Sequence, residues 1–196
     1  MDELLKMMKP DTSTVAHSET WQISSLLLET LIEKEIEANP DKVLIIDTKG
    51  HFRHKTELVN KCQTMSVVEF MYDTRNLREI EKPVFINLSE NNLNEKDINI
   101  VLSKLSEYTG HLGKNKVFIT ALDSWKQPLV KLLNNINIVS VVEINSNTID
   151  EAESQYQIIR FDGVIYGEYK HNNTTKQFDL FDARPKNKEE TNKNEG

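Results

Sequence analysis

Glycine is scarce in this 196-residue chain: six residues, about 3%, against a usual share near ~7%. Such a chain has few places where the backbone can close around a phosphate. A single cysteine, Cys62, excludes an internal disulfide. Long hydrophobic runs are missing too. The apolar stretch from Val43 to Ile46 is four residues long, far below the ~20 needed to cross a bilayer, so no membrane span is expected. The opening Met1-Asp2-Glu3-Leu4-Leu5-Lys6 puts acidic residues ahead of apolar ones, the reverse of a secretory signal, and predicts a cytosolic or nuclear protein. Cations are in deficit: 24 Lys and Arg against 31 Asp and Glu leave a formal charge of −7 and a pI near 5.3. That balance excludes strong unaided electrostatic binding to nucleic acid, which relies on clustered Lys and Arg.

Hydrophobic residues make up 38% and charged residues 28%. That is apolar enough to fold, and the length suits one domain with tails. Residues 19–38 carry Ile23, Leu27, Leu28, Leu31 and Ile32 on one helical stripe, stopped by Asn39-Pro40. Val43-Leu44-Ile45-Ile46 reads as a central strand covered on both faces. Residues 66–72 and 84–86 read as further strands, joined by a charged crossover over 73–82. Asn94, followed by Glu95 and Asp97, predicts a helix N-cap, with Ile98, Val101, Leu102, Leu105 and Tyr108 buried beyond it and Gly110 and Gly113 as its stop. Strands at 117–120 and 138–144 flank a short helix over 129–133. Short runs at 157–161, 164–169 and 177–181 carry a hairpin signature. From 182 onward the chain is Lys, Glu and Asn and reads as a disordered tail. Alternating strands and helices predict a mainly parallel α/β sheet finished by an antiparallel edge, with ligands at the strand C-terminal ends.

From Lys49 to Lys61 the chain carries Lys49, Arg53, Lys55 and Lys61 against one Glu57, with His51 and His54 beside them. Arg53, Lys55 and Lys61 are therefore candidates for a basic patch facing phosphate or an acidic partner, or else for a solvated helix face. His51, His54 and Cys62 fit no zinc spacing, so no metal is expected, and Cys62 reads as a small core residue.

The first strand runs on as Asp47-Thr48-Lys49-Gly50-His51-Phe52, and the whole segment resembles the Ile-Asp-Thr-Glu-Gly-x-Phe-Arg strand of RecA-family recombinases. The resemblance spans approximately residues 15–181. Thr20-Trp21-Gln22-Ile23 is similar to the helix that begins Lys-Thr-Gln in that family. Val84-Phe85-Ile86-Asn87-Leu88-Ser89 resembles its Walker B strand, and Leu102 to Tyr108 with Val117-Phe118-Ile119-Thr120 resembles the helix and strand before its second DNA-binding loop. The resemblance implies a RecA-like P-loop ATPase core over 15–181, an N-terminal segment over 1–14 and a tail over 182–196.

The departures from the family pattern set the functional expectation. Where the phosphate loop belongs, the chain reads Ala16-His17-Ser18-Glu19-Thr20-Trp21, with no glycine, Thr20 in place of the lysine and Trp21 in place of the Ser or Thr on Mg²⁺. Lys49 stands where the family has its water-activating acid. The Walker B strand offers Asn87 or Leu88, and Ala121-Leu122 replaces the polar sensor. Glu19, Thr20, Trp21, Lys49 and Asn87 thus mark a degenerate nucleotide site, with Lys49 and Glu19 a candidate ion pair filling it. The implied protein is a pseudo-ATPase with no cofactor, similar to the small core-only recombinase paralogues. These act in the nucleus as heterodimers with a second paralogue, assisting the main recombinase filament on single-stranded DNA in homologous recombination and DNA repair. Trp125 and Lys126 become a candidate DNA contact, or Trp125 a cap on the core. Leu4, Leu5, Met7 and Met8 become a candidate partner contact, or packing on their own domain. The alternative is a noncatalytic RecA-like subunit of an elongator-type complex serving tRNA modification.

Overall fold

A computed structural model describes residues 1–18, 21–52, 54–72, 75–89, 93–108, 111–120, 131–135, 138–144, 156–162 and 166–180. The chain opens with α1 (Asp2–Met7), whose first turn holds Asp2 and Glu3 where they complement the helix dipole. Then come β1 (Thr14–Ser18), α2 (Trp21–Ala38) and, after a turn at Pro40–Lys42, β2 (Val43–Asp47). Next are α3 (Thr56–Asn60), β3 (Gln63–Thr64), α4 (Val67–Tyr72), a 3-10 turn at Arg75–Glu79 and β4 (Val84–Asn87). Asn94 caps α5 (Glu95–Glu107) through a capping box with Asp97, each side chain accepting from the other residue's backbone N–H. The strands β5 (Lys116–Thr120), β6 (Val139–Ile144), β7 (Gln157–Asp162), β8 (Tyr166–His171) and β9 (Thr174–Asp179) complete the order.

These strands form one nine-stranded sheet in the order β3-β4-β2-β5-β6-β1-β7-β8-β9. All pairings from β3 to β7 are parallel, and β8 and β9 are added antiparallel. The parallel strands β2, β4 and β5 are apolar on both faces, and two cores form, one on each side of the sheet. On one face Leu44, Ile46, Val117 and Ile119 pack with Phe70 of α4 and with Val101, Leu102 and Leu105 of α5. On the other, Val43, Ile45, Phe118 and Ile159 pack with Leu27, Leu28 and Ile32 of α2 and with Leu4 of α1. Among the described residues no helix is long and apolar enough to cross a membrane.

The structure corrects the sequence reading in two places. Residues 66–72 are helical rather than extended: Ser66 Oγ accepts from Glu69 N at 3.2 Å while Glu69 Oε2 accepts from Ser66 N at 2.8 Å. Val67 and Phe70 are buried at helical spacing, and Val68 is 62% exposed. Second, residues 14–18 form a central strand, β1, buried along its whole length although only Val15 is strongly apolar; β3 was also unseen. Leu4 is fully buried in the domain's own core, with Leu5, Met7 and Met8 packed partly against it. The Met1 ammonium donates to Leu180 O at 2.9 Å. The tail beyond 180 lies outside the described residues.

Two buried polar side chains tie these pieces together. Gln157 Oε1 accepts from Lys9 N at 2.5 Å and from the Tyr169 hydroxyl at 2.9 Å, while Nε2 donates to Lys9 O, Thr12 O and Thr14 Oγ1. Lys114, with no exposed surface, donates to the carbonyls of Asp41, Ile80 and Lys82. Burial pushes its ammonium down to about 8. Lys114→Met keeps the aliphatic stem but orphans those carbonyls. It is expected to cost about 2–3 kcal/mol and to lower the melting temperature by roughly 5–10 °C, read by calorimetry.

Candidate functional site

The C-terminal ends of β2 and β5 meet at a buried carboxylate. Asp47 is fully buried, and its Oδ1 accepts from Gly50 N and His51 N, both at 2.9 Å, and from the Thr120 hydroxyl at 2.7 Å. Oδ2 accepts from Phe52 N at 2.8 Å. The turn needs the left-handed φ of +76° at Gly50, a conformation open to glycine at little cost. Thr120 completes the knot: its Oγ1 accepts from Thr48 N at 3.2 Å, and its carbonyl from the Thr48 hydroxyl at 2.6 Å. The Asp-Thr-x-Gly-x-Phe pattern thus builds a rigid turn that sends Phe52 into the core, where it is 1% exposed. Sequence reasoning singled out Lys49 in this turn, but Asp47 is the residue that shapes it.

Of the residues that the resemblance marks as a degenerate nucleotide site, Trp21, Lys49 and Asn87 follow or end separate strands of the sheet, β1, β2 and β4. β1 runs through Ala16, His17 and Ser18, and α2 is described from Trp21. A phosphate-binding loop places roughly six residues between its strand and its helix so that successive N–H groups surround the phosphates. Ala16 to Ser18 are strand rather than loop, and the sequence from Ala16 to Trp21 holds no glycine. Glu19 and Thr20 lie outside the described residues, so the Lys49–Glu19 pair does too. Neighbouring strands lie about 4.8 Å apart. Lys49 follows β2, three strands from β1, and Asn87 ends β4, four strands or ~19 Å away. Asn87 Oδ1 accepts from Ser89 N at 3.0 Å and Ser89 Oγ at 2.7 Å. Reading Asn87 as the Walker B position is corrected by this distance, since a metal-holding group must stand near the phosphates. On this sheet the strands between β1 and β2 are β6 and β5, and β5 ends in Thr120.

An open cleft of about 570 Å³ does adjoin the end of β1. Register puts His17, Arg160, Glu168 and Gln177 in one row across β1, β7, β8 and β9, and Asp162, Tyr166 and Asp179 in the next row across β7, β8 and β9. The cleft holds one arginine against three carboxylates, Asp162, Glu168 and Asp179. Its field disfavours phosphate. The opposite face of these strands is apolar: Phe161 and Phe178 meet edge to face at 5.9 Å, and Phe178 lies over Gly167, where a Cβ would come within 2.3 Å of its ring. Sequence reasoning missed the cleft, although polar residues alternate through β7 to β9 as a half-solvated antiparallel sheet requires.

The basic patch is partly tied down. Lys55 pairs with Glu29 of α2 at 2.8 Å, His51 Nδ1 lies 3.3 Å from Ser25 Oγ, and Lys61 is exposed. Arg53, Trp125 and Lys126 lie outside the described residues. The Cys62 thiol donates to Leu58 O at 3.3 Å and packs partly against the core; burial pushes it up to about 11. Among the described residues no group of three or more His, Cys, Asp or Glu could hold a metal ion.

No family model and no curated protein matches the chain. Solved structures do. The genome packaging NTPase B204 from Sulfolobus turreted icosahedral virus 2, in complex with AMPPCP, superposes with a TM-score of 0.55 at 12% identity, over 86% of this chain and 97% of that one. The same NTPase in complex with AMP gives 0.57 at 11% identity, over 87% and 98%. At that identity the likeness shows the fold: an α/β core of the P-loop NTPase kind, mostly parallel, with antiparallel C-terminal strands.

Asp47→Ala removes the acceptor of three backbone N–H groups, two of them buried. A loss of about 3 kcal/mol is expected, with faster amide exchange confined at first to residues 48–52.

Proposed function

We propose that this chain is a noncatalytic RecA-like recombinase paralogue that works in a heteromeric complex, helping a recombinase filament assemble or be remodelled on single-stranded DNA during homologous recombination and repair in the nucleus. The observation that carries the noncatalytic part is that Ala16, His17 and Ser18, where a phosphate loop would begin, are paired strand residues of β1, and the sequence on to Trp21 holds no glycine to help wrap a triphosphate in backbone N–H groups. Two further features support it. The open cleft beside β1 presents three carboxylates against Arg160. At the ends of β2 and β5, the Asp47 carboxylate is taken up by backbone N–H groups and Thr120, which leaves it badly placed to order Mg²⁺ or a water. The packaging NTPase is described in complex with AMPPCP and AMP; for this chain we expect no such complex. A sheet of this kind that has given up turnover retains the surfaces by which such cores pack side by side. Its work is then binding, with a second paralogue and the main recombinase as partners and DNA contacted through the complex.

Purified alone, the chain is expected to release no phosphate from ATP above background, and magnesium ATP is expected to leave its melting temperature unchanged. Lys49→Glu is expected to restore nothing, because the loop is absent as well. Measurable turnover would overturn the pseudo-ATPase reading.

Single-stranded DNA is expected to bind the isolated chain weakly and to be lost at moderate salt, in keeping with the charge of −7. Tight, salt-resistant binding measured by anisotropy would contradict this. Co-purification decides the assignment: recovery of a recombinase paralogue at equal stoichiometry supports it, and recovery of elongator-type subunits alone sinks it.

A further inference from the structure

The opposite end of the sheet, where β1, β5 and β6 begin, carries a second cavity. It has a volume of about 160 Å³, close to the roughly 150 Å³ that accommodates one benzene ring and below the ~300 Å³ at which small-molecule sites usually start. Met8, Leu31, Phe118 and Val141 form its apolar walls. The walls are set by the core: Phe118 is 4% and Val141 8% exposed, both packed with α2. One side is the 8–14 segment, which Gln157 holds by hydrogen bonds to Lys9 N, Lys9 O and Thr12 O. The cavity is therefore a built feature rather than a gap between loose loops.

Its rim has the reverse charge of the molecule. Lys9, Lys34 and Lys116 stand there against Glu35, on a chain whose formal charge is −7. Lys116 is fixed in place, its Nζ 3.2 Å from both Asp11 Oδ1 and Pro10 O, while Lys9 and Lys34 are exposed. With Lys116 paired to Asp11, the exposed Lys9 and Lys34 against Glu35 leave the rim of this ring-sized apolar hole net positive, which selects an apolar group with negative charge beside it. The small volume favours a side chain over a free metabolite, because one buried ring alone gives little affinity and the remainder must come from charges on a longer segment.

We propose that this cavity is an anchor pocket for one large apolar side chain, phenylalanine or leucine in size, carried by an acidic segment of a partner protein. The pocket lies at the N-terminal end of the strands, away from the Asp47 turn and the acidic cleft, so a partner held here leaves that end open. The inference stands on this cavity alone and does not depend on the recombination assignment.

The test uses the full chain, isotope-labelled, titrated with a synthetic eight-residue peptide of glutamates around one central phenylalanine. Expected are saturable NMR shifts at Leu31, Phe118 and Val141, with none from the same peptide carrying alanine at the centre. Lys34→Glu on the exposed face of α2, or salt raised to about 0.5 M, is expected to weaken binding about fivefold or more. Val139→Phe, at the pocket wall, is expected to abolish it while spectra elsewhere stay unchanged. Equal binding of the alanine peptide, equal binding of a lysine-for-glutamate peptide, or no shift at millimolar peptide would each overturn the proposal. So would sodium phenylacetate binding as tightly as the peptide, which would make the pocket a small-molecule site.

Discussion

The carboxylate of Asp47 sits wholly out of water at the seam where β2 meets β5, and a buried charge in that position is tolerated only if every lone pair finds a donor. Three backbone N–H groups and the Thr120 hydroxyl supply them. Much else follows from that requirement. The turn must coil tightly enough for three successive amides to point inward, which calls for positive φ at Gly50. Phe52 is then delivered into the core under α2, and β5 is locked to β2 by side chains as well as by the ladder. The Asp-Thr-x-Gly-x-Phe motif thus shapes this corner of the fold.

The same economy of polar groups governs the middle of the sheet. β1 is central yet poor in large apolar residues, and it is stable there because its polar groups are answered. Thr14 is bonded to Thr12 and Gln157, and Gln157 in turn ties down the chain from Lys9 to Thr12. The N-terminal segment is drawn into the fold by that network and by Leu4, so it is part of the core and also the wall of the anchor pocket. The two ends of the sheet thereby acquire opposite characters. One has an open cleft rich in carboxylates beside β1, the other a small apolar hole with a cationic rim. An overall charge of −7 conceals that division.

Helices with a clear apolar stripe were legible in the sequence, because α2 and the second half of α5 bury the residues that periodicity picks out. Strongly apolar strands were legible too, since β2, β4 and β5 need cover on both faces. Residues 66–72 were not, because a short run with two valines and two aromatics fits either period, and the Ser66–Glu69 cap decides it. β1 escaped because burial of a polar strand depends on partners far along the chain, as Gln157 is. Of the site, the missing glycines and the altered residues at Glu19, Thr20 and Trp21 were visible at once. The distance of Asn87 from β1 was not, because strand order is set by crossovers rather than by local composition.

The sequence by itself determined that the chain is one α/β domain with alternating strands and helices, closed by antiparallel strands and lacking a glycine-rich phosphate loop. These follow from local periodicity and composition, which act over a few residues. Tertiary structure alone decided which strand ends stand side by side and that Leu4 is packed into the core on the α2 face of the sheet. It also decided where acidic and basic groups collect. Those outcomes depend on contacts between residues more than a hundred positions apart, as between Lys9 and Gln157, and no local pattern encodes them.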